Sequence, residues 1–185
     1  MTIVNNGPLI FDTGPLSHFS ETQWLGVLKA IAGDRSVIIP DVVQDEIAKS
    51  VNEYPHLRAV LDAEWIHVRP LGFGAELAAY ATYAQRLVVG HRNHGECGVL
   101  ATAQHLPGEA VIDDFAGRTV GEEKGIKVIG TLGLLCQGIR AGLLTVDLVS
   151  ALADDLLLTE YYMPFTAGEF QRWALEDGAL DYSDL

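Results

Sequence analysis

Short apolar runs alternate along the chain with longer stretches whose apolar residues recur at helical spacing. Leu9-Ile10-Phe11 ends at Asp12-Thr13-Gly14-Pro15, which reads as a strand stopped by a turn. Over residues 21–32, Trp24, Leu25, Leu28 and Ile31 share one helical face, and Gly33-Asp34 closes the segment. Val37-Ile38-Ile39 predicts a second strand before Pro40. Asp41 followed by Gln44 resembles a capping box, so a helix is expected over 42–50. A helix over 57–63 and a third strand over 65–68 follow. Beyond Gly72-Phe73-Gly74 come an Ala-rich helix over 75–89, the loop His91-Arg92-Asn93 and a helix over 94–105. Residues 110–112 predict the fourth strand, ending in Asp113-Asp114. A helix then runs to Lys124, Gly125 stops it, and 127–129 form the fifth strand. The remainder is helical over 134–141, 146–158 and 167–175. Apolar strands separated by helices predict an α/β fold whose mostly parallel sheet is covered on both faces.

Composition narrows the class. The chain has 185 residues, 49% of them hydrophobic and 20% charged, enough for one domain with a real core. Cys97 and Cys136 are too few for a disulfide scaffold. Residues 1–8 carry neither positive charge nor a long apolar run, and no apolar stretch approaches the ~20 residues of a membrane span. A soluble, cytoplasmic protein without a membrane role is expected. Against 25 acids stand only 12 Lys and Arg, a net charge of −13. Residues 1–142 carry −5 and residues 143–185 carry −8, with Arg172 their only base. A plain nucleic-acid-binding module would be basic, because Lys and Arg neutralise phosphate. An enzyme that meets phosphate through cations held on carboxylates is not excluded.

Such a fold places ligands at the carboxyl ends of its strands, and acids fall there and on neighbouring apolar helix faces. Asp12 ends the first strand and Asp113-Asp114 the fourth, so these carboxylates converge if the two strands are neighbours. Glu46 borders the Val43–Ile47 apolar pair of its helix. Glu96, in the first turn of its own, shares a face with Leu100 and Ala103. A carboxylate on an apolar face is costly without a partner, and Mg²⁺ takes carboxylates, water and substrate phosphate. Singly, each has an ordinary reading: Asp12 shapes a turn, Asp114 caps a helix, Asp113 is an exposed neighbour, Glu96 faces a helix dipole and Glu46 makes a surface pair. Together they are harder to dismiss.

Leu-Ile-Phe-Asp12-Thr-Gly-Pro-Leu, Ile-Pro-Asp-Val-Val-Gln-Asp-Glu46-Ile, Gly95-Glu96-Cys-Gly-Val-Leu-Ala and Val-Ile-Asp113-Asp114-Phe-Ala-Gly-Arg118 resemble the successive motifs of PIN-domain nucleases. Gly-Ile-Lys-Val-Ile-Gly130-Thr131-Leu-Gly-Leu-Leu is similar to a VapC-like branch of that family. The resemblance spans residues 9–144. It implies a three-layer fold with a five-stranded parallel sheet in the order 3-2-1-4-5, helices on both faces and extra helices at the C-terminus. It also implies Mg²⁺- or Mn²⁺-dependent hydrolysis of RNA phosphodiester bonds, often by a toxin restrained by an antitoxin protein. Asp12, Glu46, Glu96 and Asp114 match the family's acidic quartet. Asp12 and Asp114 would be direct metal ligands and Glu96 a direct or water-mediated one. Glu46 would be a water-mediated ligand or proton acceptor, and the role of Asp113 stays open. The third acid is often Asp in the family, so Glu96 would set the ion slightly further out. Arg118 could reach a substrate phosphate or form a surface pair, and Thr131 could position water or phosphate or complete the Gly130 turn.

Other readings are weaker. Phe-Asp12-Thr13-Gly14 also resembles an aspartic-protease triplet, but those enzymes are all-β and need a second Asp. His91, His94 and Cys97 have zinc-like spacing without an evident fourth ligand; with Arg92, the two His are better read as a polar loop contacting RNA. A non-catalytic PIN-fold scaffold competes, favoured by the net charge and opposed by the complete quartet. Without Asp12, Glu46, Glu96, Asp113 and Asp114 the charge of 1–142 sums to zero. Arg92, Arg118, Lys124 and Lys127 are therefore expected to serve the mouth of the site. The organisation expected is a nuclease domain over 1–144 with an acidic helical extension over 145–185 packed on it. The extension's Tyr161, Tyr162, Phe165, Phe170 and Trp173 are expected either to face away from the acids and serve homodimer or antitoxin contacts, or only to close the domain's own core.

Overall fold

The computed structural model describes residues 7–159 and 161–185. Its central strand is Leu9–Phe11 (β1). All three residues are fully buried, and neighbouring strand residues point to opposite faces, so the sheet is covered on both sides. β1 pairs in parallel with Val37–Pro40 (β2), Leu9 opposite Val37, and with Glu109–Val111 (β4), Phe11 opposite Val111. Ile66–Arg69 (β3) lies outside β2 and Val128–Ile129 (β5) outside β4. The order is β3-β2-β1-β4-β5, wholly parallel, as expected. Connections run one way from β1 to β3 and the other way from β4 to β5. The crevice where that direction reverses opens between the carboxyl ends of β1 and β4.

The helices are Thr13–Glu21 (α1), Leu25–Ala32 (α2), Asp41–Ser50 (α3), Arg58–Leu61 (α4), Ala75–Leu87 (α5), His94–His105 (α6), Phe115–Glu123 (α7), Thr131–Arg140 (α8), Val146–Leu156 (α9) and Phe170–Glu176 (α10). None of the described helices is long and apolar enough to cross a membrane. Helix α1 corrects the sequence reading, which placed a turn at Asp12-Thr13-Gly14-Pro15. Pro15 falls in the first helical turn, where its missing N–H and fixed φ cost nothing. The single helix expected over 21–32 is interrupted at Gln23, whose φ is +64°. Asp41 forms no capping box; its Oδ1 accepts from the Val42 and Leu71 N–H groups, tying α3 to the chain beyond β3.

Helix α6 crosses the sheet and is buried from Cys97 through Ala103. Close approach requires Gly98, where a Cβ would collide with Val42 Cγ2 and lie 3.3 Å from Pro40 Cβ. Helices α9 and α10 bury Val149, Leu152, Leu156, Phe170 and Ala174 in the same apolar core as the sheet. Trp24 Nε1, just before α2, donates to Asp155 Oδ2 of α9 at 2.7 Å. Thr159 Oγ1 lies 3.3 Å from His18 Nδ1 of α1. The chain after residue 144 therefore returns across α1 and α2.

Candidate active site

Asp12 follows β1 and heads α1. Its N–H donates to Val111 O at 3.1 Å, which fixes it at the β1–β4 junction. The residue is buried, and Oδ1 has no hydrogen-bond partner. Burial and, behind it, Glu96 and Glu46 push this carboxyl well above its ordinary 3.8, against the pull of the Thr13 and Gly14 N–H groups. A buried carboxylate with an unanswered oxygen among other carboxylates demands a proton or a cation.

Helix α6 supplies Glu96, half-buried in its first turn. Burial raises this carboxyl as well, then Glu46 and Asp114, while Arg92 opposes the rise. The residue before it is Gly95, whose missing Cβ leaves the space that the acids' side chains occupy. A Cβ there would collide with Asp12 Oδ1 and lie 3.1 Å from Glu46 Oε2, so these two oxygens flank one point. Glu46 reaches that point from α3. It keeps contact with solvent, yet protein crowds the carboxyl enough to raise it, against His94, Lys49 and the nearby Thr13 hydroxyl. That hydroxyl lies outside hydrogen-bond geometry. Asp114 caps α7, its Oδ1 accepting from Gly117 N at 2.9 Å, and it is exposed. The four acids thus descend from an exposed rim, Asp114 and Glu46, through Glu96 to a buried floor at Asp12.

The chemistry of this set fits a hard divalent cation: the donors are all carboxylate oxygens, their charges oppose one another, and the innermost oxygen is unpartnered. The cage is not preformed. Among the described residues, no three His, Cys, Asp or Glu side chains stand close enough to hold an ion as they are. Side-chain movement of the long Glu46 and Glu96 would have to complete it.

The remaining predicted residues divide between two flanks. Asp113 turns from the quartet: Thr131 N donates to its Oδ1 at 2.7 Å and Thr131 Oγ1 to its Oδ2 at 2.8 Å, which ties β4 to the start of α8. Both groups of Thr131 are thereby engaged, and the residue is buried. Arg118 lies against Gly130, where a Cβ would be 2.6 Å from its Nη1. Among the described residues it forms no ion pair within 4.0 Å, whereas Arg35, Arg69, Arg86 and Arg172 each hold a glutamate. On the other flank, His94 Nδ1 is 2.7 Å from the Tyr80 hydroxyl, and Arg92 is exposed beside Glu96. Cys97 is buried next to the acids; burial, and then Glu96 and Asp12, push its thiol up to about 12, so a zinc-binding thiolate is disfavoured there.

Two expectations are corrected. Lys124 and Lys127 are remote from the mouth; with Pro107 and Gly108 they line a separate hollow of about 230 Å³ at the amino ends of β4 and β5. The C-terminal segment does not face away from the acids. A cleft of about 800 Å³ runs from Gly14, Asp113 and Asp114 past Arg118 to Tyr161, Tyr162 and Trp173. Tyr161 packs edge-on against His18, ring centres 4.9 Å apart. Its hydroxyl, raised by burial and then by Asp113, faces Asp113 and Thr131. Tyr80 escaped the sequence reading, and Thr13 and Tyr161 were given other roles there, because their places depend on distant chain. Gly95 was adjacent to Glu96 in the motif, and its smallness was the available signal.

A five-stranded parallel sheet that gathers carboxylates where its winding reverses defines an α/β protein with an acidic, cation-seeking site. The chain belongs to the PIN-domain family, whose model matches residues 8–166. No curated protein and no solved structure gives a significant match. PIN domains are in general nucleases that work with divalent metal ions.

Proposed function

We propose that the chain is a ribonuclease of the VapC-like branch, hydrolysing RNA phosphodiester bonds with Mg²⁺ or Mn²⁺. The observation that carries this is the unpartnered Oδ1 of Asp12 at the floor of the β1–β4 crevice, in a carboxyl raised by burial and then by Glu96 and Glu46. Asp12, Glu96 and Asp114 would hold the ion. When bound, it would supply charge stabilisation for the attacking and leaving oxygens. Glu46, at the rim, is placed to take a proton from attacking water. Asp113 and Thr131 act on structure, holding β4 and α8 so that Asp114 is presented. Arg118, with no acidic partner among the described residues, is available to a substrate phosphate. Arg92 and His94 flank the opposite side, where Tyr80 orients the imidazole.

The motif around Gly130-Thr131 supports a toxin whose partners are an antitoxin protein and a second copy of the chain. The absence of a preformed cage among the described residues favours the competing reading, a PIN fold that binds without cleaving. One comparison separates them. Wild type should cut single-stranded RNA in Mn²⁺ and stop in chelator, while Asp114→Asn, which keeps the cap on α7, should lose at least ~100-fold in rate. Cutting by Asp114→Asn at the wild-type rate would assign the activity elsewhere, and an inert wild type would favour the scaffold.

A further inference from the structure

We propose that the C-terminal segment forms the second wall of the substrate cleft and holds an unstacked base of single-stranded RNA, with Tyr162 as stacking platform and Arg118 on the adjoining phosphate. This deepens the nuclease reading above and rests on it. Four observations lead here. The cleft is continuous with the acids, since Asp114 and Gly14 belong to both. Its volume of about 800 Å³ lies within the ~300–1,000 Å³ of small-ligand sites, room for a nucleotide but not for a duplex. Tyr161 and Tyr162 are neighbours with opposite fates. Tyr161 is tucked against His18, Asp113 and Thr131, and so anchors the segment at the end of β4. Tyr162 is left 86% exposed on the cleft, whose lining also includes Phe115, 75% exposed. Arg118, the cation of that cleft, is half-buried and has no carboxylate partner among the described residues.

Charge favours this occupant mode over simple phosphate capture. Glu122 and Asp177 also line the cleft, and the chain carries −13, so a polyanion cannot be held by many basic contacts. Stacking on an aromatic face is indifferent to that charge, and every base offers a π-face. One guanidinium then sets phosphate position. A duplex, with its bases already stacked inside, cannot use the platform.

The test is equilibrium binding of a fluorescein-labelled RNA octamer to the full chain in EDTA, where metal-dependent cleavage is off, beside a cleavage assay in Mn²⁺. Wild type should bind the single strand more tightly than a hairpin duplex of the same length. The slope of log affinity against log salt should be near that of one phosphate contact, about −0.7. Tyr162→Ala should weaken binding about 10-fold, Tyr162→Phe should restore it, and Arg118→Ala should flatten the salt slope. Tyr162 is exposed, so its replacement leaves the fold intact. Wild-type binding that Tyr162→Ala leaves unchanged, or equal affinity for the duplex, would overturn the inference while cleavage in Mn²⁺ kept the nuclease reading. A wild type that neither binds nor cuts any RNA would overturn both.

Discussion

Two buried carboxylates in this protein respond to pH in opposite directions. Asp12 is held above its ordinary 3.8 by burial and then by Glu96 and Glu46, so the metal-free fold keeps its proton longer than the unfolded chain does. The stability this confers is full below 3.8 and is lost as pH rises through the raised value. In chelator, the melting temperature should therefore fall as pH climbs from ~4 toward neutral, and Asp12→Asn should flatten that fall. At Glu76, burial pushes the carboxyl up, but the Arg69 fork and the Gly72 N–H, 2.8 Å away, outweigh it and hold it below 4.5. That stability is present above 4.5 and lost as pH falls through the lowered value. Glu76→Gln should cost ~2 kcal/mol at neutral pH and little in acid, read from urea melts. Gly95 gives the sharpest steric test. Ala there would improve helix propensity by ~1 kcal/mol. Its Cβ would push Asp12 Oδ1 aside, so the cleavage rate should drop ~100-fold while the melting temperature holds. Gly95 and the quartet could be read from the chain as motifs. The unpartnered Oδ1 could not, because no local pattern says which oxygen is out of reach of a donor.

Strands and most helices could be located by periodicity, since β1, β2 and β4 are apolar runs and α6 carries its buried face in its spacing. Helix α1 was hidden because Thr-Gly-Pro is turn chemistry as well as an acceptable first turn, and only packing on the strand above decides between them. The ends of elements are tied by side chains from elsewhere. Asp113 holds the start of α8 through both groups of Thr131, a contact that joins residues 18 apart. Thr131→Val should leave Asp113 Oδ2 without its donor and destabilise the fold by ~1–2 kcal/mol, measurable by urea denaturation. Cleavage by the folded variant should fall less than that of Asp114→Asn, because the hydroxyl positions Asp113 and only through it the neighbouring Asp114.

For the molecule as a whole, a cation held in the acid-lined crevice of a chain carrying −13 would be part of the stability. An ion that binds the folded chain and not the unfolded one stabilises by mass action, about 2.7 kcal/mol at a hundred times its Kd. Mn²⁺ should raise the melting temperature of wild type over that in chelator, and should do so far less in the Asp12→Asn/Asp114→Asn double variant. An equal rise in both would place the ion outside the crevice. The return of the chain after residue 144 shapes the same crevice, since α9 is fastened to Trp24 and Tyr161 to His18.

By itself the sequence determined the alternation of strand and helix and the places of the four acids, because each is carried by local spacing; the sheet order followed only from the family its motifs resemble. The tertiary structure alone decided the acids' ranking. Asp113 and Asp114 are consecutive, yet one is spent on Thr131 while the other caps α7 beside Glu96. It also decided that Lys124 and Lys127 lie at the far end of β4 and β5, and that Tyr161 and Tyr162 stand at the mouth. The physical reason is common to all three. Periodicity specifies which face of an element is buried, but which distant group meets it depends on how the crossovers and the C-terminal helices pack.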